Sequence, residues 1–404
     1  MLADVPMVFV LVGITAYTVL AGADFGAGVW TLLPYWGTAG RDATREHTRH
    51  AMGPVWEANH VWLIFVLVVC WTCYPTAFAS IMTTLSIPLF IAAVGIIFRG
   101  AAYALRGQLS SDGPGARLVE SLFALSSVLT PFAFGTVVGA IAVGRVPVGN
   151  AAGDVLTAWL GSVSVLAGVL AVVFSAYLAA VYLAADARRL AAPEMVADFR
   201  VRALGTGVVA GGLALAGLLV IRPASAPLWH GLTHGAGLAM VIVCALAGVV
   251  TMLLVWRSWF ELARASAALA VAAVIAGWAA AQAPRLLPGL TVAQAAAGRT
   301  TLIATIVAVA AGAVVLVPSL GLLYTLLLRG RLDQGELAPP PDQRTAMPGP
   351  SARGGRLAGG VAAAALAGGT GLLVFADPAW AHGLGVVLLL TCAVTVFARA
   401  AAVG

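Results

Sequence analysis

Long apolar runs and short polar segments alternate along the whole chain. An α-helix needs about 20 apolar residues to cross a hydrocarbon core of about 30 Å. No Lys or Arg precedes the first run, so we expect it to be a spanning helix and not a cleavable signal peptide. The pattern predicts an all-α polytopic membrane protein. Eleven spanning helices are predicted, at 5–33, 55–78, 80–105, 118–144, 155–185, 202–221, 229–256, 262–282, 300–328, 357–376 and 381–402.

Composition supports this class. The chain of 404 residues is 61% hydrophobic and 9% charged, whereas a soluble domain carries about 25% charged residues. All 22 basic residues are Arg, and the formal net charge is +6. Because the arginines stand in short segments between apolar runs, membrane topology explains them better than nucleic-acid binding does.

The distribution of arginine also predicts the orientation. If the N-terminus is exterior, 18 of the 22 arginines fall on the cytoplasmic side. An excess of positive charge in cytoplasmic segments is the usual rule for membrane proteins. We therefore expect a multi-pass protein of a cell membrane with its N-terminus outside. The four exterior arginines are then Arg145, Arg222, Arg285 and Arg299.

One segment interrupts the apolar pattern. Residues 331–356 are rich in Pro, Gly and charge, which is typical of a flexible linker. We expect a nine-helix membrane core at 1–330 and a C-terminal transmembrane hairpin at 357–404. The hairpin is rich in small residues and has no acid within its predicted spans, so it is expected to be accessory.

Two acids stand inside predicted spans. Asp24 lies in the first and Glu57 near the start of the second. A charge at mid-membrane costs about 2.5–3.5 kcal/mol on insertion scales, so such residues usually face inward, are paired, or line a proton path. Arg99 ends the third span at a similar depth, and we expect it to contact Asp24 or Glu57. A proton-exchanging Glu57 and a Glu57 that only anchors its helix remain open alternatives.

Three glycines surround Asp24. Gly22, Gly26 and Gly28 lack the spacing of a dinucleotide-binding loop, and no strand precedes them. Gly22 and Gly26 instead form the small-residue pattern that lets membrane helices approach closely. Asp24 is therefore expected to have a structural role.

The histidines of this chain are candidate haem or metal ligands. His60 follows Glu57 by three residues and shares nearly the same helix face, so it is a candidate for a proton route. His47 and His50 stand among arginines and are expected to be solvated. His230 and His234 could hold a metal, but no third ligand stands near them.

Cys70 and Cys73 form a Cys-x-x-Cys motif near the predicted exterior end of the second span. Without a thioredoxin-like context, we interpret them as small packing residues. A disulfide at this oxidising side is the alternative.

Two blocks resemble a known family. Gly22–Ala23–Asp24–Phe25–Gly26–Ala27–Gly28 is similar to a signature of subunit II of cytochrome bd-type quinol oxidases. The block from Pro54 to Ile64, which contains Trp56, Glu57 and Asn59, is similar to a second signature of that family. Phe98–Arg99, Pro131–Phe132 with Gly135, and more weakly Pro318–Tyr324 agree as well, and the resemblance covers about residues 1–330.

The resemblance implies a fold of two four-helix bundles with a peripheral helix, and it implies roles. The acid at Glu57 would contribute to a route for protons from the cytoplasm toward the haems, with His60 as a further candidate. Asp24, Arg99, Asn59 and Trp56 would be structural.

The same resemblance places haems b and d in a haem-bearing subunit I. We assign no cofactor or metal to this chain, and a structural quinone stays a candidate. This chain would be a non-haem subunit of a quinol:oxygen oxidoreductase in the bacterial inner membrane, and not catalytic alone. Quinol or lipid and a small single-helix subunit are further candidate partners. The alternatives are a proton-coupled secondary transporter and a membrane scaffold without a redox partner.

Overall fold

The computed structural model describes residues 2–32, 40–52, 56–106, 114–328, 352–375 and 378–403. These residues fold almost entirely into α-helices, and the only strands among them form one short hairpin. The predicted all-α membrane architecture is confirmed. The elements are α1 (Val5–Leu32), α2 (Arg41–Met52), α3 (Trp56–Cys73), α4 (Pro75–Thr84), α5 (Ser86–Arg106), α6 (Pro114–Ala142), α7 (Ser162–Arg189), α8 (Pro193–Ala224), α9 (Ala226–Thr233), α10 (Gly235–Trp256), α11 (Phe260–Gln282), β1 (Arg285–Leu287), β2 (Leu290–Thr291), α12 (Val292–Ala295), α13 (Arg299–Leu328), α14 (Ala352–Phe375) and α15 (Ala379–Val403).

The chain divides into two compact units, Met1–Leu316 and Val317–Gly404. In the first unit, α1 packs against α3 and α6, and α5 packs against α6. A second group is formed by α7, α8, α10 and α11. The two groups meet where α7 packs against α1 and α6. Only 6% of the most apolar stretch of α13 is buried, so this helix is peripheral.

The spanning helices differ in detail from the predicted ones. Eight helices in the described part of the chain are long and apolar enough to cross a membrane, and Ala58–Cys73 forms a shorter apolar helix. The predicted spans 55–78 and 80–105 were divided at the wrong place. The helix breaks at Tyr74 and again at Leu85, which leaves α4 as a separate element. Pro75 explains the first break, because the residue before a proline is disfavoured in helical conformation.

Three further segments differ from the prediction. Residues 41–52, expected to be a solvated loop, form the helix α2, whose Thr44, His47 and Thr48 are buried. Residues 155–161, expected to be helical, lie in turns before α7 begins at Ser162. The predicted span 229–256 breaks at His234, where Gly235 adopts a φ of +56° that favours glycine.

The segment between α6 and α7 is held by local hydrogen bonds. Asp154 accepts a hydrogen bond from the Thr157 hydroxyl at 2.6 Å and another from the Leu156 backbone N–H at 2.9 Å. These bonds favour the ionised carboxylate and lower the pKa of Asp154 below its usual value. The segment also binds α4, since the Ser80 hydroxyl accepts from the Gly149 N–H at 3.0 Å.

The second unit contains a helical hairpin, α14 and α15, which pack against each other. Gly369 allows the close approach, because a Cβ there would lie 2.9 Å from the carbonyl oxygen of Gly385. Most of the predicted linker, 331–351, lies outside the described residues, and 352–356 belongs to α14.

Candidate functional site

The centre of the site is an ion pair between α1 and α5. Arg99 donates from Nε to Asp24 Oδ2 at 2.8 Å and from Nη2 to Asp24 Oδ1 at 2.7 Å. Nη2 also contacts the Asp24 carbonyl oxygen. Both side chains are 0% exposed. The acid that Arg99 contacts is thus Asp24, one of the two expected from the sequence.

Further groups complete the coordination of this pair. Arg99 Nη1 donates to the Ser127 hydroxyl at 2.8 Å, and the Tyr103 hydroxyl donates to Asp24 Oδ1 at 2.8 Å. The guanidinium carbon lies 4.2 Å from the ring centre of Phe123 and 4.8 Å from that of Phe25. Charge, hydrogen bonds and aromatic faces together offset the cost of burying both ions.

Close helix packing encloses the pair. A Cβ at Gly26 would lie 1.8 Å from the carbonyl oxygen of Ser175 on α7, and one at Gly28 would lie 1.9 Å from Ser127 Oγ on α6. Only glycine permits α1 to lie this close to both helices. Gly22 is less critical than the sequence indicated, because a Cβ there would meet its nearest neighbours at 3.6 Å, an ordinary contact.

The sequence did not identify Tyr103 and Ser127 as part of the site. Tyr103 follows Arg99 by four residues and so lies on the same face of α5, which is the one signal that could have found it. Ser127 sits on α6, and its contact with Arg99 spans 28 residues. No local pattern indicates such a contact.

The start of α3 carries the other predicted site residues. Trp56 and Glu57 form its first turn, but their side chains lie outside the described part of the structure. Asn59 is 2% exposed, and its Nδ2 donates a long hydrogen bond of 3.4 Å to the Leu20 carbonyl on α1. The His60 ring packs edge-on against Tyr17 at 5.8 Å and against Phe25 at 6.0 Å. Asn59 and His60 therefore face the interior of the α1–α3–α6 group.

Phe25 links these residues to the ion pair. The Phe25 ring contacts both the Arg99 guanidinium and the His60 ring. The structure therefore brings Asp24, Arg99, Asn59 and His60 into one buried region at the contact of α1, α3 and α5.

The other histidines lie elsewhere. The expectation that His47 is solvated was wrong, because its side chain is buried and its Nε2 lies 3.0 Å from the Leu183 carbonyl oxygen. His50 has no described side chain. The rings of His230 and His234 stack at 4.1 Å. Across the described residues, no three His, Cys, Asp or Glu side chains form a metal-binding group.

Cys70 and Cys73 are both free thiols. Cys73 is fully buried. In this structure they are small packing residues, which is one of the two alternatives expected from the sequence.

An apolar groove lies on another face of the first unit. It runs between α1 and α11 and has a volume of about 600 Å³. Val12, Val19, Leu269 and Ile275 are among its lining residues. Its walls contain almost no polar surface, which suits a hydrocarbon chain.

These features define a class of protein: a multi-pass membrane protein with a buried ion pair and, on α3, an amide and an imidazole that face the helix interior. The comparisons with known proteins identify the family. A model of the family described as cytochrome bd terminal oxidase subunit II matches residues 2–327. The chain belongs to this family, and the eight long apolar helices among its described residues agree with a place in the bacterial inner membrane.

Two relatives show how far the similarity extends. The chain is 28% identical over 108 residues to cytochrome bd ubiquinol oxidase subunit 2 of Bacillus subtilis (strain 168). That alignment covers 27% of this chain and 31% of the relative, so it spans about a third of the relative's length. This protein is also similar to a chain of the solved bd oxidase from Geobacillus thermodenitrificans, with a TM-score of 0.66 and 25% identity. The match covers 81% of this chain and 98% of that one.

Proposed function

We propose that this chain is subunit II of a cytochrome bd-type quinol oxidase, in which a haem-bearing subunit oxidises quinol and reduces oxygen to water. The observation that carries the proposal is the family match across residues 2–327. In this proposal the chain is part of a quinol:oxygen oxidoreductase but does not catalyse the reaction alone. Haems b and d belong to the partner subunit, where they supply the redox chemistry.

Within that complex, we assign Glu57 and His60 to a proton route. Glu57 begins α3 at the predicted cytoplasmic side, and His60 lies about one turn further in. The His60 ring already contacts Tyr17 and Phe25 inside the helix group. A carboxyl group and an imidazole can each take up and release a proton near neutral pH when their surroundings adjust their affinities. Glu57 would take the proton from the cytoplasm and His60 would receive it.

Asp24 and Arg99 have a different role. The Asp24 carboxylate accepts from Arg99 Nε, Arg99 Nη2 and the Tyr103 hydroxyl. Several charge-assisted hydrogen bonds thus fix the position of this carboxylate. We therefore assign the Asp24–Arg99 pair a structural role, in which it holds α1, α5 and α6 together. Asn59, which binds α1 through the Leu20 carbonyl, and Trp56 complete the structural set.

The apolar groove between α1 and α11 is our candidate for the quinone or lipid contact. Its lining from Val8 to Leu20 spans about 18 Å at 1.5 Å per helical residue. That length suits an isoprenoid or acyl chain lying along the helix. The hairpin of α14 and α15 is assigned an accessory role, in the place that a small single-helix subunit would otherwise take.

Affinity purification of the chain from its native membrane tests the proposal. A haem-bearing partner should co-purify, and the complex should consume oxygen when supplied with quinol. If the intact chain purifies alone, with neither haem nor oxidase activity, the oxidase proposal is wrong. A transporter or a scaffold would then be the better interpretation.

A further inference from the structure

The contact between α1 and α3 contains polar atoms that no described protein group satisfies. Asn59 is almost fully buried, yet its Oδ1 has no hydrogen-bond partner among the described residues. The Tyr17 hydroxyl is likewise buried and has no partner within the described part of the chain. Buried polar atoms are nearly always hydrogen-bonded, to protein or to ordered water.

These two atoms belong to one region. Asn59 Nδ2 binds the carbonyl of Leu20, which lies three residues, about one turn, from Tyr17 on α1. The Tyr17 ring contacts the ring of His60, the residue next to Asn59. Phe134 of α6 closes the region from the other side, with its ring 5.8 Å from that of Tyr17.

A third such atom lies on α6. Thr130 stands one turn before Phe134, and its Oγ1 is buried with no partner among the residues described. Gly95 of α5 leaves room for that hydroxyl, since a Cβ there would lie 2.2 Å from it. Internal water in proteins typically makes about three hydrogen bonds to polar groups that would otherwise be unsatisfied. A hydroxyl and an amide oxygen, both without a partner among the described residues, are the groups that bind such water.

We propose that Tyr17 and Asn59 hold internal water between α1 and α3, and that this water carries protons onward from His60 toward the middle of the membrane. The inference rests on the proposed proton route through Glu57 and His60. Each water molecule accepts one proton from the His60 side and releases one on the far side. The site therefore gains no net charge and needs no redox partner.

The ion pair explains why the route passes beside Asp24 and not through it. Asp24 is fixed by Arg99 and Tyr103 and lies seven residues, about 10 Å along α1, from Tyr17. The charges of Asp24 and Arg99 act electrostatically on the Tyr17 hydroxyl. In this proposal, water carries the proton on the α3 side of the pair. Tyr17 and Asn59 are positioning residues here, because they hold the water that moves the proton.

The test compares Tyr17→Phe and Asn59→Leu in the assembled oxidase. Each change keeps the approximate shape and removes a water-binding group. A direct proton-transfer partner typically contributes about 10²–10⁴-fold, so a water-holding group should contribute less, and we expect turnover per haem to fall about three- to tenfold. The solvent isotope effect on turnover should rise, because proton transfer becomes more rate-limiting. Asn59→Ser, which keeps a hydroxyl and leaves space for water, should recover most of the rate.

Tyr177→Phe is the matched control. Tyr177 is a buried tyrosine on α7 whose hydroxyl bonds to Thr251, outside the α1–α3 contact. This variant should keep its turnover per haem and its isotope effect. A merely structural role for Tyr17 would make Tyr17→Phe behave like this control.

The outcomes separate this inference from the proposed function. If Glu57→Gln slows turnover while Tyr17→Phe, Asn59→Leu and the isotope effect stay normal, the water site is wrong and the Glu57 route stands. If Glu57→Gln is itself normal, the proton route fails. A high-resolution map of the complex should show water density within hydrogen-bond distance of Tyr17 Oη and Asn59 Oδ1. A dry cavity there would overturn the inference whatever the kinetics.

Discussion

Removing Arg99 should destabilise the helix core far more than removing an exposed arginine. Arg99→Ala leaves the Asp24 carboxylate fully buried without its counter-ion and without two of its hydrogen-bond donors. Breaking a buried pair in this way costs about 3–5 kcal/mol. Arg45 provides the matched control, since its contact with Glu120 is 3.7 Å long and the side chains are 36% and 56% exposed. An exposed pair contributes about 0–1 kcal/mol.

The double variant makes the argument sharper. Replacing both members of a buried ion pair by apolar residues of similar volume is often neutral or stabilising. Arg99→Met combined with Asp24→Leu should therefore recover part of the stability that Arg99→Ala loses. The Tyr103 and Ser127 hydroxyls each lose a partner in the double variant, so we expect the recovery to be incomplete.

Thermal unfolding of the purified complex measures these differences, with haem absorbance reporting assembly. One kcal/mol corresponds to about 2–4 °C in a domain of 150–250 residues, so Arg99→Ala should lower the midpoint by about 6–20 °C. Arg45→Ala should lower it by less than about 4 °C. Equal shifts for the two variants would refute the claim that the Asp24–Arg99 pair holds the core together.

Four further changes test other parts of the structure. Glu57→Gln should keep assembly but slow quinol oxidase turnover, because shape is retained and the exchangeable proton is lost; full turnover with normal haem content would contradict the proton route. Gly26→Ala should destabilise the complex by at least about 1–3 kcal/mol through overpacking against α7, whereas Gly22→Ala, measured in the same thermal assay, should be tolerated. A chain ending at Gly335 should still assemble and keep oxidase activity, and loss of haem from that inserted chain would show that the C-terminal hairpin is integral. Reporter fusions at Gly335 and Pro227 should report opposite sides of the membrane, and finding both on one side would overturn the predicted topology.

The apolar pattern was sufficient to predict the architecture but not the helix ends. Runs of apolar residues indicate which segments enter the bilayer, but they do not show where a helix breaks within a run. The break at Tyr74 depends on Pro75, and the one at His234 depends on the positive φ of Gly235. Both lie inside continuous apolar stretches, where hydropathy changes little.

The helix α2 was missed for a related reason. Its residues are mostly polar, so hydropathy alone assigns them to a loop. Thr44, His47 and Thr48 recur at helical spacing and form a narrow buried face against α7 and α8. A helix whose buried face is made of small polar groups gives a weak apolar signal.

The ion pair was the most predictable part of the site. Because unpaired charges are costly within a membrane, Arg99 was expected to contact Asp24 or Glu57, which the topology places at a similar depth. The remaining partners, Tyr103 and Ser127, are neutral. A serine hydroxyl within a helix can donate to the carbonyl one turn back, as that of Ser127 does at 2.7 Å, so its presence predicts no contact with another helix.

The structure adds partners to the roles that were expected from the sequence. Asp24 was expected to be structural, whereas Glu57 was expected either to exchange protons or only to anchor its helix. Asp24 accepts hydrogen bonds from Arg99 and Tyr103, so charge-assisted bonds fix its side chain between α1 and α5. This geometry supports its assignment to holding the helices together. In our proposal the proton-exchanging role belongs to the block on α3, where Asn59 and His60 lie near Tyr17 and near polar atoms that have no partner among the described residues. The ion pair would then stabilise α1 on the α5 side, and the proposed internal water would carry protons on the α3 side.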